Sequence, residues 1–226
     1  MVGFAPATIG AITWLALNEE RTARIKHGLV LSCVGDAGRS TYKKSRRGDA
    51  EIDRAVANVL RHSGDPYAVE EFVPWGGDER QFCSPGFDLA VGSLMRTPPG
   101  SFDEYHTSAD DLNFVSAESL TDSFNKYVQV LDVLEGNATF VNQNPKGEPQ
   151  LGKRGLYKAI STGAPREDEV AERALLWVLN LSDGKHSLLD ISDRGALTFS
   201  AIRSAATTLE KHGLITEVRI EEPRSR

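Results

Sequence analysis

The residues able to do chemistry crowd into one segment, Gly77–Leu112, which holds Asp78, Glu79, Arg80, Cys83, Ser84, His106 and Asp110. His106 is its focus, with Asp103 and Glu104 before it and Asp110 four residues on. A neutral imidazole beside carboxylates is how a zinc-ligating histidine is built and oriented. Asp78 or Glu79 would then be a further ligand or a catalytic carboxylate, and Asp110 would steady the ligand from behind. The same residues also describe a hydrogen-bonded histidine that fixes a loop, because one histidine with scattered carboxylates lacks the ligand spacing of a zinc site. Cys83 beside His106 could form a nucleophilic dyad if the two touch. A small buried cysteine in a tight turn explains it equally, and a Ser-Pro-Gly turn explains Ser84.

A second group is basic. Arg39, Lys43, Lys44, Arg46 and Arg47 place five cations in nine residues. Arg46 or Arg47 could clamp an oxyanion with two parallel hydrogen bonds; the alternative is a solvated charge run.

The elements that must hold these groups alternate. Thr8–Lys26 reads as a helix with Ile9, Ile12, Leu15, Ala16 and Ile25 on one face and Thr8 as its cap. Leu29–Val34 is an apolar run of buried-strand length. Asp49–His62 is an amphipathic helix closed by Gly64. Tyr67–Val73 and Leu89–Met95 read as strands, and Ser116–Leu134 as a helix. This alternation predicts an α/β layer architecture over residues 1–136. Residues 137–164 read as a linker packed on the body through Leu151, Leu156 and Tyr157. From 165 to 226 the pattern is helical over Glu169–Leu181, from Leu188, and over Thr198–His212. It then alternates over Leu214–Ile220. Three helices followed by a strand predict a winged helix.

Composition sets limits on function. The net charge of −6 argues against a general polyanion binder. From Pro165 on, nine Lys/Arg against eleven Asp/Glu leave −2, so DNA is an unexpected partner for the winged helix and docking or dimerisation the expected role. Two cysteines, Cys33 and Cys83, are too few for a disulfide scaffold. No apolar run approaches the ~20 residues of a membrane span, and no signal peptide opens the chain, so a cytoplasmic location is expected.

Several blocks in order carry a resemblance. Glu104-Tyr105-His106-Thr107-Ser108-Ala109-Asp110 looks like the "YHTxxD" segment of co-catalytic zinc aminopeptidases. Asp78-Glu79-Arg80-Gln81-Phe82 stands where that superfamily has "SDHxxF". With Pro6–Gly10, Leu31–Asp36, Tyr42–Arg47 and Glu148–Gly155, the run resembles bacterial aminopeptidase-like proteins that end in a winged helix, often described only as a domain of unknown function. The resemblance implies the C-terminal portion of a zinc-aminopeptidase-like three-layer sandwich. It implies zinc held by His106, Asp78 or Glu79 as catalytic carboxylate, and Arg46, Arg47, Arg80 and Tyr105 at a substrate or anion. It also implies a peptide or amino-sugar-linked substrate and a place near polysaccharide biosynthesis.

The same resemblance puts hydrolysis in question. The superfamily's "Glu-Glu-x-Gly" base and ligand fall at Ala7 and Thr8, and its strand-end ligand aspartate near Ser32. The first histidine ligand and the bridging aspartate would lie upstream of Met1. The full zinc site is therefore not expected in this chain. Two functions follow: a metallohydrolase, truncated or catalytically incomplete, or a non-catalytic interaction or regulatory protein. A homo-oligomer, or an N-terminal portion, is the expected protein partner.

Overall fold

The computed structural model describes residues 2–156 and 166–218. It divides into unit 1, residues 1–134, and unit 2, residues 135–226.

Unit 1 is a mixed four-stranded sheet with helices. The elements run α1 (Ile9–Leu17), α2 (Glu19–Thr22), β1 (Gly28–Leu31), β2 (Ser40–Lys43), α3 (Glu51–His62), β3 (Tyr67–Glu70), α4 (Glu79–Phe82), β4 (Val91–Met95) and α5 (Ala117–Gly136). The strand order is β1-β4-β2-β3. β1 and β4 are parallel, β2 and β3 are parallel, and β2 runs antiparallel to β4. The expected helix over Thr8–Lys26 is two helices, broken at Asn18, whose side chain donates to the Trp14 carbonyl at 2.8 Å. An Asn side chain that satisfies a backbone carbonyl competes with helix continuation.

The core forms where strand patterns are wholly apolar or paired. Every residue of β2 and β4 is buried. Leu15, Cys83, Leu89 and Val91 form one cluster with Trp14, Val30 and Phe82 around it. α3 buries Ile52, Ala55, Val56, Val59 and Leu60, the i, i+3, i+4 face its sequence predicts. A buried polar knot ties α3 to the sheet. Asp53 accepts hydrogen bonds from Tyr42 Oη (2.8 Å), Ser45 N (2.6 Å), Ser45 Oγ (2.6 Å) and Ala50 N (3.0 Å). Burial and the facing Asp53 push the Tyr42 phenol far above its ordinary range, so it stays a donor.

Unit 2 holds β5 (Thr139–Asn142), α6 (Arg166–Leu181), β6 (Asp183–Ser187), α7 (Leu188–Gly195), α8 (Phe199–Lys211) and β7 (Ile215–Glu217). Its sheet has the order β6-β5-β7, antiparallel throughout. Two features differ from the sequence reading. Thr139–Asn142, inside the 137–164 segment read as a linker, is the central strand; and Asp183–Ser187, between two expected helices, is a strand. Both strands take their order from backbone pairing rather than from apolar alternation. Thr198 caps α8 through Ala201 N at 3.2 Å, and Ser187 caps α7 through Asp190 N. Trp177 lies against Gly195 of its own unit, whose Cβ position is 3.2 Å from the indole. Tyr157 and the Arg219–Ile220 end of the expected last strand lie outside the described residues. No helix among the described residues is long and apolar enough to cross a membrane.

Candidate functional site

The candidate groups sit on loops at strand ends, and the backbone there is strained. Thr8, Cys33, Asp88 and His106 all have positive φ in unit 1. For a β-branched residue such as Thr8 (φ 63) this is a true outlier, and such outliers cluster at functional sites. Thr8 precedes α1, Cys33 follows β1 and His106 lies on the loop after β4.

Asp78 is tied to one of these residues by a hydrogen bond. Its Oδ1 accepts the Thr8 backbone N–H at 2.5 Å, joining two segments 70 residues apart. The carboxylate therefore fixes the Thr8 junction, where the resemblance places a zinc ligand and a general base. Glu79 is 0% exposed, and its Oε1 meets the Lys43 ammonium, itself 6% exposed. Lys43 also donates to the Trp75 carbonyl. Glu79 Oε2 has no hydrogen-bond partner among the described residues. The pair is wrapped by Gly76 and Gly77: a Cβ on Gly77 would stand 2.5 Å from Glu79 Oε2. Of the two residues expected as catalytic carboxylates, Asp78 anchors a backbone N–H and Glu79 is half of a buried ion pair.

His106 is exposed and stacks on Tyr105, ring centroids 4.0 Å apart. Tyr105 packs edge-on to Phe102, which stacks on Phe114. This aromatic ladder, with Thr107 Oγ1 donating to the Glu104 carbonyl at 2.9 Å, shapes the loop. Asp110 is exposed and near Cys33, whose thiol is pushed up by burial and also by Asp36 and Asp110; it does not brace His106. Among the described residues no three His, Cys, Asp or Glu side chains could hold a metal together. Among the described residues His106 stands as one ligand type without its set.

The cationic expectations change as well. Arg46 donates to Asp88 Oδ1 at 3.1 Å, and Arg47 reaches the Asp88 carbonyl at 2.5 Å. Both guanidiniums are thus occupied by one exposed aspartate and are not an open anion clamp. Lys44 pairs with Glu71 at 2.6 Å. Arg80 is partly buried, with its Nε unpartnered among the described residues. Cys83 is 1% exposed and its thiol donates to the Leu89 and Val91 carbonyls. Burial pushes that thiol up, so it is a core group and not a nucleophile.

Sequence reasoning missed one arrangement. A cavity of about 390 Å³ is lined by Arg39, Thr41, Glu70, Arg96, Thr97 and Ser101. Arg39 and Glu70 make no side-chain hydrogen bond or ion pair among the described residues, whereas Arg96 is tied to Asp122 at 2.6 Å. Asp36 steadies the wall by accepting from Thr97 Oγ1 at 2.5 Å and Gly38 N at 2.8 Å. The available signal was Glu70, a charged residue at the carboxyl end of β3, the strand end outside which open α/β sheets bind ligands.

An α/β layer followed by a small three-helix unit with its own three-stranded sheet is the architecture of an α/β domain joined to a winged helix. The chain belongs to the DUF4910 family, a domain of unknown function, whose family model matches residues 2–137. Residues 138–217 match a winged helix-turn-helix. A curated relative from Clostridium acetobutylicum, assigned to polysaccharide biosynthesis and carrying an aminopeptidase-like domain, is 52% identical over 212 residues, 94% of this chain and 48% of the relative. The chain thus spans about half the length of that relative. A crystal structure of a protein assigned as a peptidase, also from Clostridium acetobutylicum, matches at 51% identity and TM-score 0.86, covering 95% of this chain and 47% of that one. A zinc aminopeptidase from Bacillus subtilis matches at 16% identity and TM-score 0.47 over 57% of this chain and 33% of that one; no argument rests on that likeness.

Proposed function

We propose that unit 1 is the aminopeptidase-like domain of a polysaccharide-biosynthesis protein and binds a small zwitterionic or amino-bearing ligand at the Arg39–Glu70 cavity. One observation carries this: a guanidinium and a carboxylate without side-chain partners among the described residues line the same cavity of about 390 Å³, together with the hydroxyls of Thr41, Thr97 and Ser101. Glu70 suits the ammonium of a peptide or amino sugar, and Arg39 suits a carboxylate or phosphate. Isothermal titration with leucine, a leucyl dipeptide and glucosamine tests it. Saturable binding that falls at least about tenfold in Arg39→Ala or Glu70→Gln is expected; binding by none of the three rejects it.

This chain by itself does not hydrolyse such a ligand. A missing acid–base group costs about 10²–10⁴-fold, and Ala7, Asp78 and Glu79 supply none that is free. The second reading, a zinc hydrolase, is favoured by the Tyr105-His106-Thr107 segment and by the left-handed backbone of His106. The purified chain should retain less than stoichiometric zinc after dialysis, and show no turnover of amino-acid anilides. Tightly held zinc that is lost in His106→Ala, or zinc-dependent turnover, would establish the second reading instead.

The winged-helix unit acts as a docking module in this reading. α8 presents Ser200, Ser204 and Thr207 to solvent, and its Arg203 guanidinium sits against Gly136, 2.8 Å from that residue's Cβ position. Phosphate neutralisation supplies most non-specific affinity, and little cationic surface is left for it. Anisotropy with random duplex should show no sub-micromolar binding; steeply salt-dependent binding would make the unit a DNA reader.

A further inference from the structure

Two strand directions meet at the Arg39–Glu70 cavity. β2 runs antiparallel to β4, so the basic segment that opens β2 lies beside the end of β4 and the loop after it. Arg39 therefore shares a wall with Arg96, Thr97 and Ser101. β2 runs parallel to β3, with Ser40 opposite Tyr67 and Lys43 opposite Glu70. Glu70 thus stands three residues farther along the strands than Ser40, the neighbour of Arg39, a separation of roughly 10 Å at the rise of a parallel strand. The backbone sets a cationic end of the cavity apart from an anionic end.

The cationic end holds two guanidiniums, Arg39 and Arg96. Arg39 is exposed. The Arg96 side chain is only 13% exposed, and its neutralisation is partial. Its Nη1 donates to Asp122 Oδ2 at 2.6 Å, while its Nε is buried without a partner among the described residues. Asp122 is itself shared, because Lys126 donates to both of its oxygens at 2.6 Å. The other carboxylate at this wall, Asp36, is buried and turned into the fold, where it accepts from Gly38 N, Thr97 N and Thr97 Oγ1. A guanidinium paired so incompletely at this depth calls for a further anion.

We propose that the anionic group bound here is a phosphate monoester, held by Arg39 and Arg96 together, on a ligand whose amine reaches Glu70 from a different carbon. This rests on the reading of the cavity given above and narrows its ligand class. A carboxylate offers one charge and two oxygens, which a single guanidinium fork satisfies. A phosphate monoester offers three terminal oxygens and a charge of about −1.5 to −2, which matches two forks with the Thr41 and Ser101 hydroxyls beside them. The separation of the two ends decides the rest. An α-amino acid carries its ammonium and carboxylate on one carbon and spans the cavity poorly. An amino-sugar phosphate holds its two charged groups apart on a ring and spans it.

Isothermal titration with glucosamine 6-phosphate, glucosamine, glucose 6-phosphate and inorganic phosphate, at matched ionic strength, tests it. Glucosamine 6-phosphate should bind at least about tenfold more tightly than glucosamine, the gain from charge-assisted hydrogen bonds to one group. Arg96→Gln should remove most of that gain; it strands no carboxylate, because Lys126 keeps Asp122 paired. Arg39→Gln, at an exposed position, should weaken glucosamine 6-phosphate by at least about tenfold and decides the matter if the Arg96 variant does not fold. Glu70→Gln should bring glucosamine 6-phosphate down to the affinity of glucose 6-phosphate. If glucosamine binds and its 6-phosphate binds no better, or if Arg96→Gln weakens the two alike, the inference is overturned while the reading of the cavity stands. If inorganic phosphate and both sugar phosphates bind equally, the site takes an adventitious ion only and the inference is overturned. If neither amine-bearing probe binds, the reading of the cavity falls and this inference with it.

Discussion

Glu79→Ala is expected to destabilise unit 1 by about 3–5 kcal/mol, the cost of leaving one member of a buried pair uncompensated. The Lys43 ammonium would remain 6% exposed with only the Trp75 carbonyl to face. The double substitution Lys43→Met/Glu79→Leu should recover most of that loss, because replacing both charges by apolar groups removes the desolvation cost along with the attraction. Cys83 provides a probe specific to unit 1. It is sealed in the core beside Leu89 and Val91, so the rate of thiol labelling reports opening of this unit alone. Labelling of Cys83 should accelerate by about 10²–10³-fold in Glu79→Ala and return toward wild type in the double variant. If Glu79 were instead a catalytic carboxylate with a minor structural part, Glu79→Ala would label at the wild-type rate, and the reading of the pair given above would be wrong.

Asp53→Ala should be of similar size, about 3 kcal/mol or more. Four donors converge on one buried carboxylate, and the substitution strands the Tyr42 hydroxyl, both Ser45 donors and the Ala50 N–H. Each buried donor left without a partner costs about 1–3 kcal/mol, and hydrogen bonds to a charged acceptor sit at the upper end. Asp53→Asn keeps the shape but must present one NH₂ group to donors, so it should recover only part of the loss. Tyr42→Phe removes a single member and should cost about 1–2 kcal/mol. Thermal unfolding followed at the tyrosine near-ultraviolet band checks the series. A loss below about 1 kcal/mol for Asp53→Ala would show that water replaces the carboxylate, which the burial of Tyr42, Ser45 and Asp53 argues against.

The amino-acid order alone determined those elements whose information is local. The helices α3, α5 and α8 follow from apolar spacing, with Gly64 closing the first and Thr198 and Gly213 bounding the last. The α/β class of unit 1 followed from alternation, and the resemblance in Tyr105–Asp110 pointed to the aminopeptidase-like family. The tertiary structure decided the rest, because it depends on which distant residues meet. β5 and β6 have weak patterns of their own and exist through pairing, β6 with β5 and β5 also with β7. α1 has its apolar spacing in sequence, yet Ile9 and Ile12 stay in solvent while Ala11 and Leu15 go inward. The spacing reports that the helix has an apolar face, and only the sheet beneath decides which part of it is covered. The site shows this most plainly. Asp78 and Glu79 are neighbours in sequence and both carboxylates, but Thr8, 70 residues away, claims one and Lys43 claims the other. A carboxylate's role is set by the donor that faces it and by the water it loses, and both are properties of the folded chain rather than of the segment that carries it.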